Sequence, residues 1–269
     1  MCIRDRCKIF DFNAELEKHF INDKKQLVPI DNWFLNHNFY SEKVFSQIKE
    51  LANTWIDQVM LYNPSKVGIS VFSYNSQRAT LLLAMLVKSR NPQIEIFMGG
   101  AGLNTDNNFG PFCLEQRIMD CWIRGEGEMS VPAYLRGDMT HPGLNGIPPR
   151  QINNIDDLEF PDYSDYELAS YTNKKGLVAL PITGSRGCVR ACSFCDIASM
   201  WPKYKYRSGH SIAKEIKTQH KRYGAKAFRF TDSLINGSMK AFRDMTQELS
   251  EFRMSMPEEK RFIWDSHFI

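Results

Sequence analysis

The chain has 269 residues, enough for one large domain or two ordinary ones, and its 43% hydrophobic and 24% charged residues are typical of a globular protein. Its formal net charge of +3 is too small to indicate binding to nucleic acid or to a membrane surface. The sequence has no apolar run of the roughly 18 residues that a membrane span needs and no secretory leader pattern, so we expect a cytoplasmic location.

The first half of the sequence predicts alternating helices and strands. Apolar residues at helical spacing predict a helix over residues 41–61, and a second helix begins near Asn75 or Ser76 and ends before Pro92. Three β-rich segments predict strands, and a short helix is predicted after the third: "KVGISVFS", "QIEIFMGG", "CWIRGEGE" and then "EMSVPAYLRGD". Strands that alternate with helices predict an α/β fold with a parallel sheet covered on both faces.

Residues 137–179 differ in composition from the sequence on either side. They are rich in Gly, Pro, Asn and Asp and show little periodicity, which is typical of an interdomain linker. This interpretation predicts one domain over residues 7–136 and a second over residues 180–269.

A second series of strands and helices follows the predicted linker. The segments are the strand "LVALPITGS", the helix "SIAKEIKTQHKRYG", the strand "AKAFRFTD", the helix "SMKAFRDMTQELSEF" and the strand "RFIWDS". Gly224 is the predicted C-terminal stop of the first of these helices. Three such steps predict the first half of a (β/α) barrel rather than a complete one.

Three of the seven cysteines lie within eight residues of "GSRGCVRACSFCDI", directly after the first strand of this second series. In a chain without a secretory leader, such a cluster favours metal or redox chemistry over a disulfide framework. A structural zinc site needs four protein ligands, and no fourth cysteine or histidine lies at short spacing. We expect the isolated Cys113 and Cys121 to be buried apolar fillers.

Three thiolates on a cubic iron–sulfur cluster leave one iron open to a substrate. The motif Cys-x3-Cys-x2-Cys, with Phe194 before the third cysteine and a strand before the loop, resembles the radical S-adenosylmethionine superfamily. The resemblance implies a 4Fe–4S cluster held by Cys188, Cys192 and Cys195. Its open iron would bind S-adenosylmethionine, and one electron would cleave that molecule to a 5′-deoxyadenosyl radical.

The same resemblance implies contacts to S-adenosylmethionine. Phe194 would pack beside the adenine, and Thr231, Asp232 and Ser233 lie where family members contact the amino group or ribose. The more usual Gly-Gly-Glu motif is absent, and the alternative is that Asp232 or Ser233 caps the next helix. Arg207 resembles a recurrent basic position after the cluster loop; the alternative is a solvated surface charge.

The N-terminal half resembles cobalamin-binding Rossmann-like domains. These domains often show Ser-x-Leu followed by Gly-Gly, and here Ser70-Val71-Phe72 precedes Gly99-Gly100 by 26 residues. The turn "RGEGE" resembles one typical of the cobalamin-binding subgroup of the superfamily. The resemblance implies that cobalamin is held by Ser70, Gly99, Gly100, Gly125, Glu126 and Gly127. The motif Asp-x-His-x-x-Gly is absent, so no axial histidine is named; the alternative is that these glycines only form tight turns.

The sequence as a whole thus indicates a cobalamin-type radical S-adenosylmethionine enzyme that methylates an unactivated carbon, or catalyses a related radical rearrangement or cyclisation. Its substrate is small or unknown, and its electron donor is a protein such as flavodoxin or ferredoxin. Two alternatives stay open: a methylthiotransferase, although Cys7, Cys113 and Cys121 lack the pattern of that family, and a metal-carrying module without turnover.

Both ends of the sequence indicate a reading frame that is cut. The opening "MCIRDR" resembles the translation of a sequencing-library adaptor, so no function is given to Cys2. The last residues, "KRFIWDSHFI", stop at a strand that leads into a loop. On this interpretation, the residues that select the substrate lie largely beyond Ile269.

Overall fold

The computed structural model describes residues 7–12, 14–15, 42–73, 76–104, 108–172, 176–190, 192–195 and 197–268. The opening "MCIRDR", with Cys2, lies outside the described residues. The chain divides into two compact units, one of Asp11–Arg150 and one of Gln151–Ile269 together with the start of the chain. This division falls inside residues 137–179: Leu144 packs in the first unit, and Tyr163 packs in the second.

The first unit is built on a three-stranded parallel sheet. Its elements in chain order are α1 (Glu42–Met60), β1 (Lys66–Ser70), α2 (Gln77–Arg90), β2 (Glu95–Gly99), α3 (Ala101–Asn104), α4 (Phe109–Glu115), β3 (Cys121–Trp122) and α5 (Gly127–Leu135). The strand order is β1-β2-β3, and both pairings are parallel. Ile96 and Met98 of the central strand are fully buried, because helices and neighbouring strands cover them.

The two short helices α3 and α4 are not predicted by the sequence. They have four and seven residues, which is too short for an apolar stripe to repeat and reveal a helical period. The predicted helix over 41–61 is α1, and its inward residues Ile48 and Ile56 are buried as the spacing predicts.

The second unit contains another three-stranded parallel sheet and a small antiparallel pair. Its elements are β4 (Ala179–Ile182), β5 (Ser185–Arg186), α6 (Ile197–Met200), β6 (Lys205–Tyr206), α7 (Gly209–Tyr223), β7 (Ala227–Phe230), α8 (Met239–Met254) and β8 (Ile263–Asp265). The parallel sheet has the order β4-β7-β8, and β5 pairs with β6. The predicted α/β class with parallel sheets is confirmed in both units.

Local sequence explains where α7 begins and ends. The hydroxyl of Ser208 accepts the N–H of Ser211 at the start of the helix. At its end, Gly224 adopts φ +64°, the left-handed conformation that glycine allows, so the predicted stop is confirmed. Ile212 and Ile216 point into the core of the unit, where they meet Met245 of α8.

Gly209 at the start of α7 lies against the backbone of α8, and we expect Gly209→Ala to destabilise the fold. An added methyl group would lie 2.4 Å from both the carbonyl oxygen of Ala241 and the amide nitrogen of Met245. Relieving this overlap moves one helix away from the other, which typically costs about 1–3 kcal/mol. Urea unfolding measures the loss; Lys214→Ala on the exposed face of the same helix is the control, and equal stability of the two variants would contradict the packing.

Within the part of the chain that the structure describes, no helix combines the length and the apolar character needed to cross a bilayer.

Candidate functional site

The cysteine loop of the second unit begins and ends at two short strands that are hydrogen-bonded to each other. After β4, Ser185 and Arg186 form β5 and pair antiparallel with Tyr206 and Lys205 of β6. The amide of Thr231 donates to the carbonyl of Ile182 (2.9 Å), which joins the carboxyl ends of β4 and β7. The loop between β5 and β6 therefore starts from the carboxyl edge of the parallel sheet.

The three cysteines of the loop are free thiols that solvent can reach. Cys188 is half-buried, whereas Cys192 and Cys195 are exposed. The N–H of Arg190 lies 3.4 Å from the sulfur of Cys188, and the N–H of Cys195 donates to the carbonyl of Cys192 in a tight turn (3.1 Å). Among the described residues, no three side chains of the His, Cys, Asp and Glu types lie close enough together to hold a metal ion.

Asp232 follows β7 and lies under the base of this loop. Its carboxylate accepts the N–H of Gly184 (2.9 Å) and the hydroxyl of Ser185 (2.5 Å), and the residue is only 2% exposed. Burial raises the pKa of Asp232, and the hydrogen bonds from Ser185 and Gly184 oppose that rise. The alternative that Asp232 or Ser233 caps the next helix is wrong, because Ser238 accepts the N–H of Ala241 and caps α8.

Thr231 and Ser233 flank Asp232 and are both exposed at the carboxyl edge of the sheet. The hydroxyl of Thr231 lies 3.0 Å from that of Thr183, which follows β4, so the two form a hydrogen-bonded pair. Phe194 in the cysteine loop is 91% exposed. These side chains are open to a ligand, whereas the carboxylate of Asp232 is already engaged by the loop base.

Arg207 is a buried ion-pair partner, so its interpretation as a solvated surface charge is wrong. It is 7% exposed and pairs with Glu215 of α7, which is 2% exposed. Its guanidinium also donates to the carbonyls of Thr183 and Ser211 (both 3.1 Å). Burial raises the pKa of Glu215, and the charge and hydrogen bond of Arg207 oppose this effect.

A second group of the predicted site residues lies at the carboxyl edge of the sheet in the first unit. Ser70 and Gly99 are register partners at the ends of β1 and β2. Residues 125–127 follow β3 and open α5, so all six predicted cobalamin contacts lie at one edge of this sheet. Parallel α/β sheets bind ligands at this edge.

Known proteins resemble the chain across both units. It is 27% identical over 164 residues to the anaerobic magnesium-protoporphyrin IX monomethyl ester cyclase of Synechocystis sp., an alignment that covers 56% of this chain and 32% of the cyclase. It is 22% identical over 271 residues to the cytidylyl-2-hydroxyethylphosphonate methyltransferase of Streptomyces wedmorensis, covering 84% of this chain and 48% of that protein. No family model matches the chain.

The curated proteins that the chain resembles are radical S-adenosylmethionine methyltransferases and cyclases. The chain spans about half or less of the length of the curated relatives it matches. One solved structure that resembles the chain is that of the radical S-adenosylmethionine methyltransferase TsrM from Kitasatospora setae, with cobalamin and a 4Fe–4S cluster bound. The match covers 73% of this chain and 42% of the TsrM chain, with a TM-score of 0.49 and 18% sequence identity.

Cys113 and Cys121, the two described cysteines of the first unit, are buried fillers, as predicted. Cys113 and Cys121 are both 0% exposed, and burial raises the pKa of each thiol to about 11. Buried thiols with so high a pKa are poor metal ligands. These two positions therefore offer no support for the methylthiotransferase alternative.

Thiol labelling distinguishes the two kinds of cysteine. At pH 8 and in the absence of metal, we expect iodoacetamide to modify Cys7, Cys192 and Cys195 of the native chain, because these thiols are exposed. Cys113 and Cys121 should stay unmodified until urea is added, because both are buried and protonated at that pH. Mass spectrometry of peptides measures both groups; rapid native labelling of Cys113 would contradict the structure.

Two of the glycines predicted to hold cobalamin also have structural roles. Gly100 has φ +112°, and a methyl group there would lie 2.6 Å from the carbonyl oxygen of Val71. Gly125 has φ +71° and packs against Pro149. Gly127 has neither constraint, since its nearest neighbour lies at an ordinary contact distance of 3.5 Å. The tight-turn interpretation thus accounts for Gly100 and Gly125 but not for Gly127.

The site also contains residues that the sequence interpretation did not single out. Thr183, Ser185 and Glu215 complete the polar groups around the loop base. Glu215 could have been noticed, because it lies beside Ile212 and Ile216 on the inward face of an amphipathic helix. A charged residue in such a position needs a partner.

Proposed function

We propose that this chain is the cluster-binding part of a radical S-adenosylmethionine enzyme. We further propose that the whole enzyme methylates an unactivated carbon of a small molecule, or carries out a related radical rearrangement or cyclisation. The observation that carries the proposal is a loop with three free thiols that starts from the carboxyl edge of a parallel sheet. The names of the two curated relatives, a methyltransferase and a cyclase, support it.

The donor set of the loop fits an iron–sulfur cluster. Thiolates are the usual ligands of such clusters, and Cys188, Cys192 and Cys195 are the cysteines of the second sheet's loop. Gly187 adopts φ +85°, which turns the chain directly before the first of them. The N–H of Arg190 directed at the sulfur of Cys188 suits a thiolate, because a hydrogen-bond donor stabilises negative charge on sulfur.

The exposed residues at the same edge are proposed to contact S-adenosylmethionine. The hydroxyl of Ser233 is exposed to its polar groups, and the ring of Phe194 offers an apolar face to adenine. The hydroxyl of Thr231 would exchange its hydrogen bond with Thr183 for one to the ligand. Asp232 is not among the proposed contacts, because both of its carboxylate oxygens already accept hydrogen bonds from the loop base. When bound, the cluster supplies the electron that cleaves S-adenosylmethionine and starts radical chemistry.

Cobalamin is the proposed ligand of the first unit. Ser70, Gly99 and Gly127 support it, because they lie at the carboxyl edge of the parallel sheet and carry either a small exposed side chain or none. Glu126, directly before α5, is buried at the same edge. A protein electron donor such as flavodoxin or ferredoxin completes the proposal.

Anaerobic reconstitution with iron and sulfide tests the proposed function. We expect roughly four iron and four sulfide ions per chain, a visible iron–sulfur chromophore, and 5′-deoxyadenosine when dithionite and S-adenosylmethionine are added. A chain that takes up one zinc ion, retains no iron and forms no 5′-deoxyadenosine would overturn the proposal in favour of a metal-carrying module. Cobalamin that stays bound through gel filtration would support the assignment of the first unit.

A further inference from the structure

The cysteine loop is joined at its base to a residue that is distant in sequence. Asp232 accepts hydrogen bonds from Gly184 (2.9 Å) and Ser185 (2.5 Å), which lie 48 and 47 residues before it. Gly184 and Ser185 come after β4 and directly before the turn that leads to Cys188. A single carboxylate thus connects the end of β7 to the start of the loop.

The backbone of Gly184 and the carboxylate of Asp232 are in close contact. The carbonyl of Gly184 accepts the N–H of Arg207 (2.8 Å) while its own N–H donates to Asp232, so both polar groups of this residue are fixed. A methyl group on Gly184 would lie 3.1 Å from one carboxylate oxygen of Asp232, a contact that requires one of the two to shift. Glycine at this position therefore lets the carboxylate approach.

We infer that Asp232 is a positioning residue for the iron–sulfur loop and acts through Gly184 and Ser185. It holds the backbone from which Cys188 extends, so that the loop meets the cluster with little loss of conformational entropy. The inference rests on the proposed function of the loop. It differs from direct contact with S-adenosylmethionine, in which the negative charge of Asp232 would attract the amino group of the ligand.

The variant Asp232→Asn distinguishes positioning of the loop from direct contact with S-adenosylmethionine. In Asp232→Asn, the amide oxygen can still accept the N–H of Gly184, and the amide NH₂ can donate to the hydroxyl of Ser185, which turns to accept it. The positioning role is therefore retained without the charge. In Asp232→Ala, both hydrogen bonds are lost.

The test compares the two variants, with Asp265→Asn as the control because Asp265 is an exposed carboxylate on β8 of the same sheet. We expect Asp232→Ala to bind iron and sulfide roughly 10- to 100-fold more weakly, the usual effect of removing a residue that orients metal ligands. Asp232→Asn and the control should retain wild-type iron content and wild-type affinity for S-adenosylmethionine. If Asp232→Asn keeps its iron but loses S-adenosylmethionine affinity as fully as Asp232→Ala does, the positioning role is overturned.

A second measurement does not depend on the cluster. In the metal-free chain, we expect faster hydrogen exchange at the amide of Gly184 in Asp232→Ala and in Ser185→Ala than in the wild type; unchanged exchange in both would contradict the inference. Failure of the wild-type chain to bind iron overturns the proposed function instead, so the two failures are distinguishable. Where Asp232→Ala does not fold, Ser185→Ala carries the same comparison with one hydrogen bond removed.

Discussion

Replacement of Cys192 by serine is expected to abolish iron–sulfur binding by the reconstituted chain. Cys192 is one of three thiols proposed to hold the cluster, and its exposed sulfur lies at the tight turn that leads to Cys195. A serine hydroxyl has nearly the same size but is not ionised at neutral pH, so it is a poor ligand for iron. Loss of a ligand should cost more than the roughly 10- to 100-fold typical of residues behind the ligands.

Iron and sulfide analysis, together with electron paramagnetic resonance of the reduced protein, measures this loss. Cys188→Ser and Cys195→Ser should behave like Cys192→Ser. Cys7→Ser is the matched control, because Cys7 is also an exposed free thiol but lies outside the loop, and this variant should bind as much iron as the wild type. Equal loss in Cys7→Ser, or wild-type iron content in Cys192→Ser, would contradict the assignment of the ligands.

The sequence predicts the arrangement of the sheets and the location of the loop because these depend on local patterns. Apolar spacing identifies the inward faces of α1 and α7, and Gly224 marks the end of the latter helix. Strands that alternate with helices of this length favour parallel neighbours joined by crossover connections, which both sheets show. Three closely spaced cysteines in a glycine-containing loop then place the candidate cluster site.

The buried polar contacts of the site could not be predicted in the same way. The partners of Asp232 lie 47 and 48 residues away, and spacing along the chain contains no information about such contacts. For the same reason the burial of Arg207 is not visible, because the inward position of Glu215 shows that it needs a partner but not which residue supplies it. Only the packed tertiary structure determines which charged residues are removed from water.

Arg207→Met is expected to lower the free energy of unfolding by about 3–5 kcal/mol, because the substitution leaves the buried carboxylate of Glu215 without its partner. Methionine fills a similar space, so the loss reflects the missing charge and hydrogen bonds more than a cavity. Without Arg207, the pKa of Glu215 rises further above its ordinary value of 4.5. The folded variant then binds a proton that the unfolded chain releases, so its deficit should be smallest below pH 4.5 and grow as the pH rises.

Urea unfolding of the metal-free chain at a series of pH values measures this deficit. Arg229→Met is the matched control: Arg229 also pairs with a carboxylate, that of Asp265, but both side chains are exposed, so solvent replaces the lost interaction and stability should change little. Equal stability of the two variants at neutral pH would show that Glu215 does not depend on Arg207. A deficit in Arg207→Met that is the same at pH 4 and pH 7 would attribute the loss to packing and not to the buried charge.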